Sequence, residues 1–196
     1  MIERSDERDA ALRAALAHVP RLGWSRAALE AGLRDLGQDG REVEWLFPGG
    51  PIEAVEAWCD LADREMEATA RAENLQDLRI PERIRRVVTL RLEANEPHKE
   101  AIRRALALQS LPWNIASAMR TVGRTADSMW AAAGDTSADL SWYTRRATLS
   151  GVYGATLAFW LQDDEPGFPA TRAFLDRRLA DLARLQGKRP KAKSAA

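Results

Sequence analysis

The residues with the clearest chemical potential in this chain are a single cysteine, Cys59, and two histidines, His18 and His98. A thiol beside a base can act as a nucleophile, and imidazole together with thiolate or carboxylate can hold a metal ion. Cys59 lies on the apolar face of a predicted helix, which favours a core role. Neither histidine has a glutamate three residues before it, the spacing that carboxylate di-metal bundles use. We therefore expect no metal, no cofactor, and surface or helix-capping roles for both histidines.

The sequence also lacks the motifs of the large catalytic families. It contains no glycine-rich phosphate loop, no Gly-x-Ser-x-Gly elbow and no His-Glu-x-x-His pair. Its carboxylates are numerous, but they fall on faces that suit solvent. We predict that the protein is not an enzyme.

Composition and charge point to one soluble domain with two unlike halves. The 196 residues are 45% hydrophobic and 30% charged, which suits one domain of ordinary size. Residues 1–81 carry ten arginines, no lysine and seventeen carboxylates, for a net charge of −7, and the remainder carries +7. The uncharged stretch 149–161 would span about 20 Å as a helix, short of the roughly 30 Å of a bilayer core. With no signal-like apolar run in the first nine residues, we expect a protein that is soluble or at most lies on a membrane surface.

Every long segment has the composition of a helix, because alanine, leucine, arginine and glutamate dominate and no stretch alternates with period two. Pro51 and Pro81 occupy favoured first positions of helices, and Ser25 is placed to cap another. The predicted helices span 6–19, 26–37, 41–46, 52–71, 81–96, 99–109, 113–133, 141–162 and 170–186. We predict an all-α bundle with helix-turn-helix-like segments in 1–50, a helical core in 51–169, an amphipathic helix in 170–187 and a basic tail in 188–196.

The helices predicted at 113–133 and 141–162 carry the most apolar faces. One stripe of the first falls within about 100° of arc, and the second is apolar nearly all round, which predicts a central position. The helix at 141–162 also has small residues that suit close helix packing, namely Gly151, Ala155 and Ala158. The two faces form either an ordinary core or a cavity for an apolar ligand, with adaptable methionines. The candidate cavity residues are Ile115, Met119, Val122, Met129, Trp130, Leu149, Tyr153, Leu157 and Trp160.

The last predicted helix is amphipathic. Its apolar residues fall within about 140° of arc, a pattern that fits either a helix docked on its own domain or one lying in a membrane interface, with nearby cations at the headgroups. We expect the membrane interface, with Arg178 reaching the headgroups or, in a docked state that closes over the cavity, pairing with Asp181. The candidate membrane-binding residues are Phe174, Leu175, Arg178, Leu179, Leu182 and Leu185.

A partner surface is predicted where the helix at 141–162 begins. Asp139, Trp142, Tyr143 and Arg146 lie at or near this end, and Trp, Tyr and Arg are frequent interface anchors. A buried core position for Trp142 is the alternative.

The first fifty residues resemble the arrangement of TetR-type regulators, in which a helix-turn-helix precedes a Tyr/Phe-rich junction and a linker helix. Residues 44–50, Glu-Trp-Leu-Phe-Pro-Gly-Gly, are similar to that junction. The recognition segment would be 38–44, which carries three carboxylates and one cation. Because phosphate contacts supply most non-specific DNA affinity, we expect no nucleic-acid binding.

Motifs along nearly the whole chain resemble the Coq-nine family. The stronger ones are residues 134–139, 142–147 and 174–179, and the weaker ones are 22–25, 111–114 and 161–163. The resemblance implies a TetR-like fold and a non-catalytic, lipid-binding accessory role in ubiquinone (coenzyme Q) biosynthesis. It also implies an isoprenoid pocket in the helical core, a last helix that meets the membrane, and a patch that engages a di-iron demethoxyubiquinone hydroxylase.

We therefore expect a cytoplasmic accessory protein, a homodimer, that is peripherally associated with the inner membrane. There it presents a quinone precursor to this hydroxylase. The alternative is a TetR-type transcriptional regulator with a small-molecule pocket, against which the acidic segment 38–44 argues.

Overall fold

The computed structural model describes residues 2–135 and 141–187. In these ranges the chain forms ten α-helices and no β-strand, and none of the helices is long and apolar enough to cross a bilayer. The prediction of an all-α fold is confirmed. The helices are α1 (Asp6–Ala15), α2 (Val19–Leu22), α3 (Arg26–Asp35), α4 (Val43–Leu46), α5 (Gly50–Ala72), α6 (Ile80–Asn95), α7 (Lys99–Gln109), α8 (Ile115–Ala132), α9 (Ser141–Trp160) and α10 (Pro169–Gly187).

Helices α1, α3 and α4 pack together at the front of the chain. Ser25 caps α3 as predicted, since its Oγ accepts a hydrogen bond from the backbone N of Ala28 at 3.2 Å. Helices α1 and α3 cross so closely that a Cβ added at Gly32 would lie 2.6 Å from the backbone N of Ala15. A glycine is therefore required at this crossing.

The prediction of one helix over 6–19 is wrong. The structure ends α1 at Ala15 and starts α2 at Val19. In a continuous helix, the ring of Pro20 would clash with the carbonyl of Leu16, four residues earlier. The chain therefore turns between the two helices, and Pro20 lies in the first turn of α2, where proline is tolerated.

Helix α5 connects the front of the chain to its back. It packs against α1, α6 and α8, and it contributes Trp58 and Met66 to one hydrophobic core that includes residues from α1 to α10. The guanidinium of Arg64 joins α1 to α5 through ion pairs with Asp9 at 2.7 Å and Asp60 at 3.1 Å. The described residues on the two sides of the boundary predicted near residue 50 therefore share one hydrophobic core.

The predicted central position of α9 is also wrong. One face of α9 packs into the core through Leu149 and Trp160, while the face with Gly151, Ala155 and Ala158 is exposed. No described atom lies within 4 Å of a Cβ built on Gly151. Helix α9 therefore lies at the outside of the described chain, because its neighbours α8 and α10 cover only one of its sides.

Candidate functional site

An apolar cavity of about 380 Å³ lies beneath α10, between α6, α8 and α9. Trp130 and Leu149 line it from α8 and α9, and Leu179 and Leu182 line it from α10. The other lining residues are Ile80, Pro81, Ile84, Arg145, Thr148 and Ala183. A cavity with this lining suits a hydrocarbon chain or another apolar ligand, because it offers few polar groups that would have to be satisfied.

Several contacts hold α10 against the rest of the protein. Leu175 is only 1% exposed, and Phe174 stacks on Phe159 of α9 with 4.7 Å between ring centroids. Arg85 of α6 forms an ion pair with Asp176. The structure thus shows the docked alternative for the last helix.

Most of the described residues predicted to bind a membrane take part in this docking. Leu179 and Leu182 face the cavity, and the guanidinium of Arg178 pairs with the carboxylate of Asp181 at 2.8 Å, as expected for a docked helix. The side chain of Leu185 lies outside the described residues. Membrane binding by α10 stays a prediction, and it requires the helix to leave the position described here.

The turn between α9 and α10 anchors the start of α10. The carboxylate of Asp163 accepts hydrogen bonds from the backbone N of Thr171 at 2.8 Å and from its Oγ1 at 2.7 Å. These bonds from Thr171 lower the pKa of Asp163 below its ordinary value. The ionised carboxylate therefore stabilises the helix start at neutral pH.

The nine residues predicted to form one cavity are divided among several places. Trp130 and Leu149 line the cavity beneath α10. Val122, Tyr153 and Leu157 line a second, smaller cavity of about 80 Å³ between α5, α6, α7, α8 and α9. The structure does not bring these five side chains to a common cavity.

The remaining four predicted cavity residues line neither cavity. Met129 and Trp160 are fully buried in the core, whereas Ile115 and Met119 lie on the surface, with Met119 68% exposed. The apolar stripe of α8 is thus exposed in its first half and buried in its second.

Hydrogen bonds to α5 explain why the first half of α8 turns its apolar stripe outward. Ser117 Oγ donates a hydrogen bond to Glu56, and Thr125 Oγ1 donates one to Asp63 at 2.9 Å. Both Ser117 and Thr125 are buried. Because carboxylates of α5 satisfy this polar face of α8, the first half of the apolar stripe faces away from the described chain.

A buried ion pair lies beside the smaller cavity. Arg91 is 6% exposed, and its Nε donates to Asp63 at 3.0 Å. The same carboxylate accepts the bond from Thr125. Desolvation raises the pKa of Cys59 and of Tyr153 to about 12 each. Both groups therefore stay protonated at neutral pH, and the charge of Arg91 in the lining is offset by its ion pair with Asp63.

The two histidines have separate surroundings. His18 Nε2 lies 2.6 Å from Asp35 Oδ2, and desolvation lowers the pKa of His98. In residues 2–135 and 141–187, no three His, Cys, Asp or Glu side chains are close enough to hold a metal ion.

The predicted partner surface is described only in part. Tyr143 is 71% exposed, and the guanidinium of Arg146 is half-buried and pairs with Asp127 of α8. Asp139 and the side chain of Trp142 lie outside the described residues. The choice between an interface and a core position for Trp142 therefore stays open.

Ion pairs occupy the charges of the would-be recognition segment. Arg41 pairs with Asp39 at 2.8 Å, and Glu44 pairs with Arg26 of α3 at 2.6 Å. The single cation of the segment is thus already neutralised by a carboxylate two residues away.

Sequence analysis did not single out Gln109, which lines the smaller cavity. In α7 the buried positions include Ala101, Ala105 and Gln109, which recur every four residues. A polar residue on an otherwise apolar helical stripe is the signal by which Gln109 stands out.

Comparison with known proteins identifies the family. The family model COQ9 matches residues 115–186, which span α8 to α10. Proteins named ubiquinone biosynthesis protein COQ9, mitochondrial, from Xenopus tropicalis and Homo sapiens are 33% and 32% identical to this chain over 176 residues, or 87% of it. The corresponding Schizosaccharomyces pombe protein is 32% identical over 171 residues, or 86% of the chain. The chain belongs to the COQ9 family.

This COQ9-family chain spans 56%, 55% and 66% of the length of those three relatives, respectively. Its fold is that of TetR regulators. A solved TetR transcriptional regulator from Nitrosomonas europaea superposes with a TM-score of 0.73, covering 92% of this chain and 99% of the regulator. At 24% identity this likeness concerns the fold alone. The Coq-nine resemblance and the TetR-like fold are both confirmed.

Proposed function

We propose that this COQ9-family protein is a non-catalytic accessory protein of ubiquinone biosynthesis that holds an isoprenoid quinone precursor or a related lipid in the cavity beneath α10. One observation carries the proposal: the family match covers α8, α9 and α10, the helices that supply most of the lining of this cavity. The apolar lining supports a ligand that is mostly hydrocarbon.

A pair of substitutions one helical turn apart tests the cavity. Thr148 lines it, whereas Thr144 is exposed. We expect Thr148→Trp to fill the space and to lower both the amount of co-purified lipid and the affinity for a short prenyl lipid by about tenfold or more. Thr144→Trp is the matched control and should change neither quantity. Mass spectrometry after lipid extraction measures the first quantity and calorimetric titration the second. Equal lipid content in all three proteins would rule the cavity out as the site.

We further propose that α10 leaves its docked position and lies in the interface of the inner membrane, which opens the cavity to the bilayer. Arg177 and Arg184 are exposed on α10. Each cation near an anionic leaflet contributes about 1 kcal/mol. Binding of this kind is reversible and weakens as salt is added.

The proposed receiver of the ligand is a di-iron demethoxyubiquinone hydroxylase that contacts the start of α9. The exposure of Tyr143 supports an interface there. Tyr143→Ala should abolish co-purification with the hydroxylase and leave the melting temperature unchanged. For Trp142→Ala, the same pair of results supports an interface, and a large loss of stability supports a core position.

We propose that a second copy of this chain covers the outer faces of α8 and α9. Ile115 and Met119 expose apolar surface on α8, and the small residues of the neighbouring helix α9 are exposed as well. A Cβ on Gly154 would meet no described atom within 4 Å, so Gly154→Leu is compatible with the monomer but prevents close helix contact between copies. Analytical ultracentrifugation should give a monomer for Gly154→Leu and a dimer for the wild type. The control variant Ala180→Leu, which changes an exposed position of α10, should also be a dimer. The same mass for all three would contradict this interface.

Regulation of transcription is the less favoured function, although the fold is that of TetR regulators. The paired, acidic segment 38–44 offers little attraction to phosphate. We expect no salt-sensitive mobility shift with duplex DNA at micromolar protein.

A further inference from the structure

The smaller cavity contains a buried amide that the fold leaves unsatisfied. Gln109 is 8% exposed, and it lines the cavity. Its Nε2 is buried and has no hydrogen-bond partner among the residues that the structure describes. Buried donors of this kind are rare in native proteins, because the group loses its hydrogen bonds to water without replacing them.

Three other polar side chains at or beside the cavity have hydrogen-bond partners within the chain. Arg91 and Thr125 both donate to the carboxylate of Asp63, at 3.0 and 2.9 Å. Asn95 Nδ2 donates to the backbone carbonyl of Arg91 at 2.7 Å. These three donors are therefore satisfied within the chain, whereas Gln109 Nε2 is free to bond to an acceptor from outside the chain.

The charges around the cavity favour an uncharged acceptor. Arg91 is neutralised by Asp63, so an anion entering the cavity would find no unpaired positive charge to offset its desolvation. Trp58, Ile102 and Leu157 supply apolar walls. A volume of about 80 Å³ exceeds the 10–15 Å³ or so that one water needs, and it is smaller than the roughly 150 Å³ of a cavity that accepts benzene.

We infer that this cavity recognises an uncharged ligand group bearing a carbonyl or ether oxygen, which accepts a hydrogen bond from Gln109 Nε2. The group is either a small free molecule or the oxygenated end of a lipid. The inference deepens the proposed function, on which it rests for the lipid source. Leu149 of the cavity beneath α10 and Tyr153 of the smaller cavity are one turn apart on α9, about 6 Å along the helix axis.

Three probes separate the sources in titrations with the full chain. They are acetone, a methyl ketone with a two-prenyl tail, and an isoprenoid hydrocarbon of equal tail length. Acetone and the methyl-ketone end are both smaller than benzene, in keeping with the cavity volume. Binding of acetone identifies a free molecule, and binding of the tailed ketone alone identifies a lipid end group. If neither ketone binds better than the hydrocarbon, the inference is wrong.

Substitution of the amide tests the role of Gln109 itself. Gln109→Leu should weaken binding of the preferred ketone by about three- to tenfold, the range of one uncharged hydrogen bond, and leave the hydrocarbon affinity unchanged. Gln162→Leu, at an exposed position after α9, is the matched control. The side-chain amide signals of Gln109 in a ¹⁵N-correlated spectrum should shift with the ketone and stay in place with the hydrocarbon.

The same experiments separate this inference from the proposed function. If Thr148→Trp abolishes lipid binding while Gln109→Leu leaves the preference for oxygenated probes intact, the inference fails and the proposed function stands. If Gln109→Leu removes the preference while Thr148→Trp changes nothing, the cavity beneath α10 is not the lipid site and the recognition of the oxygen stands.

Discussion

Replacing Leu175 by alanine should release α10 before the rest of the fold. Leu175 is almost completely buried, and truncation of such a leucine costs about 2–5 kcal/mol. The other contacts of α10 are weaker. The stack of Phe174 on Phe159 adds about 0.5–1.5 kcal/mol beyond burial, and the partly exposed pair of Arg85 and Asp176 adds about 0–1 kcal/mol. Leu175 is therefore the largest single contribution to docking among these contacts.

The expected loss of docking free energy determines which assay can detect the release of α10. A loss of about 2 kcal/mol raises the population of the undocked helix about 30-fold, since 1.4 kcal/mol corresponds to a factor of ten. Amide hydrogen exchange should therefore be about 30-fold faster or more in α10, with no change in α5. Co-sedimentation with anionic vesicles should increase, because the apolar face of α10 becomes available to the membrane.

The control is Leu36→Ala, which truncates an exposed leucine at the end of α3 and should leave both measurements unchanged. Equal acceleration of exchange in every helix would show that α10 opens only with the whole protein. Faster exchange in α10 without more vesicle binding would show that α10 is not the membrane-binding element.

Three further predictions concern stability. Asp63→Ala should lower the free energy of unfolding by about 3–5 kcal/mol, because it leaves Arg91 buried without its counter-ion; an unchanged denaturant midpoint would contradict this. Gly32→Ala should cost about 1–3 kcal/mol through overlap with α1, whereas Gly123→Ala, with no described atom within 4 Å of the new Cβ, should gain about 0.5–1 kcal/mol; calorimetry should show melting temperatures that move in opposite directions. The lowered pKa of Asp163 means that its contribution is present above the ordinary value of 3.8 and is lost as the pH falls through the folded pKa. The protection factors of the α10 amides, which correct for the slower intrinsic exchange in acid, should therefore fall below about pH 4 in the wild type. Asp163→Asn should remove this acid dependence.

Local signals in the sequence were sufficient for most helix bounds. Pro51 and Pro81 lie in the first turns of α5 and α6, and α7 runs from Lys99 to Gln109 as predicted. The error at Pro20 arose because a proline stops a helix several residues before its own position, where its ring would meet a carbonyl. These features depend on neighbours in the chain, which is why composition and spacing reveal them.

The candidate site was predictable in its elements and not in its arrangement. The sequence predicted that α8, α9 and α10 carry apolar faces. It did not predict that Ile115 and Met119 lie outside while Trp130 and Leu149 line a cavity. Periodicity shows that a face is apolar, but burial depends on which distant element packs against it.

The sequence by itself determined the all-α composition, the family and the helices that carry apolar faces. Only the tertiary structure decided which side chains of these apolar faces lie together. In the first half of α8, Ser117 faces inward because Glu56, 61 residues earlier in the chain, accepts its hydrogen bond, and the apolar side chains on the opposite face are exposed. Gln109 lies at a cavity because five helices from separate parts of the sequence converge there and leave its amide without a partner. Such contacts join residues far apart in the chain, and no local pattern of residue types specifies them.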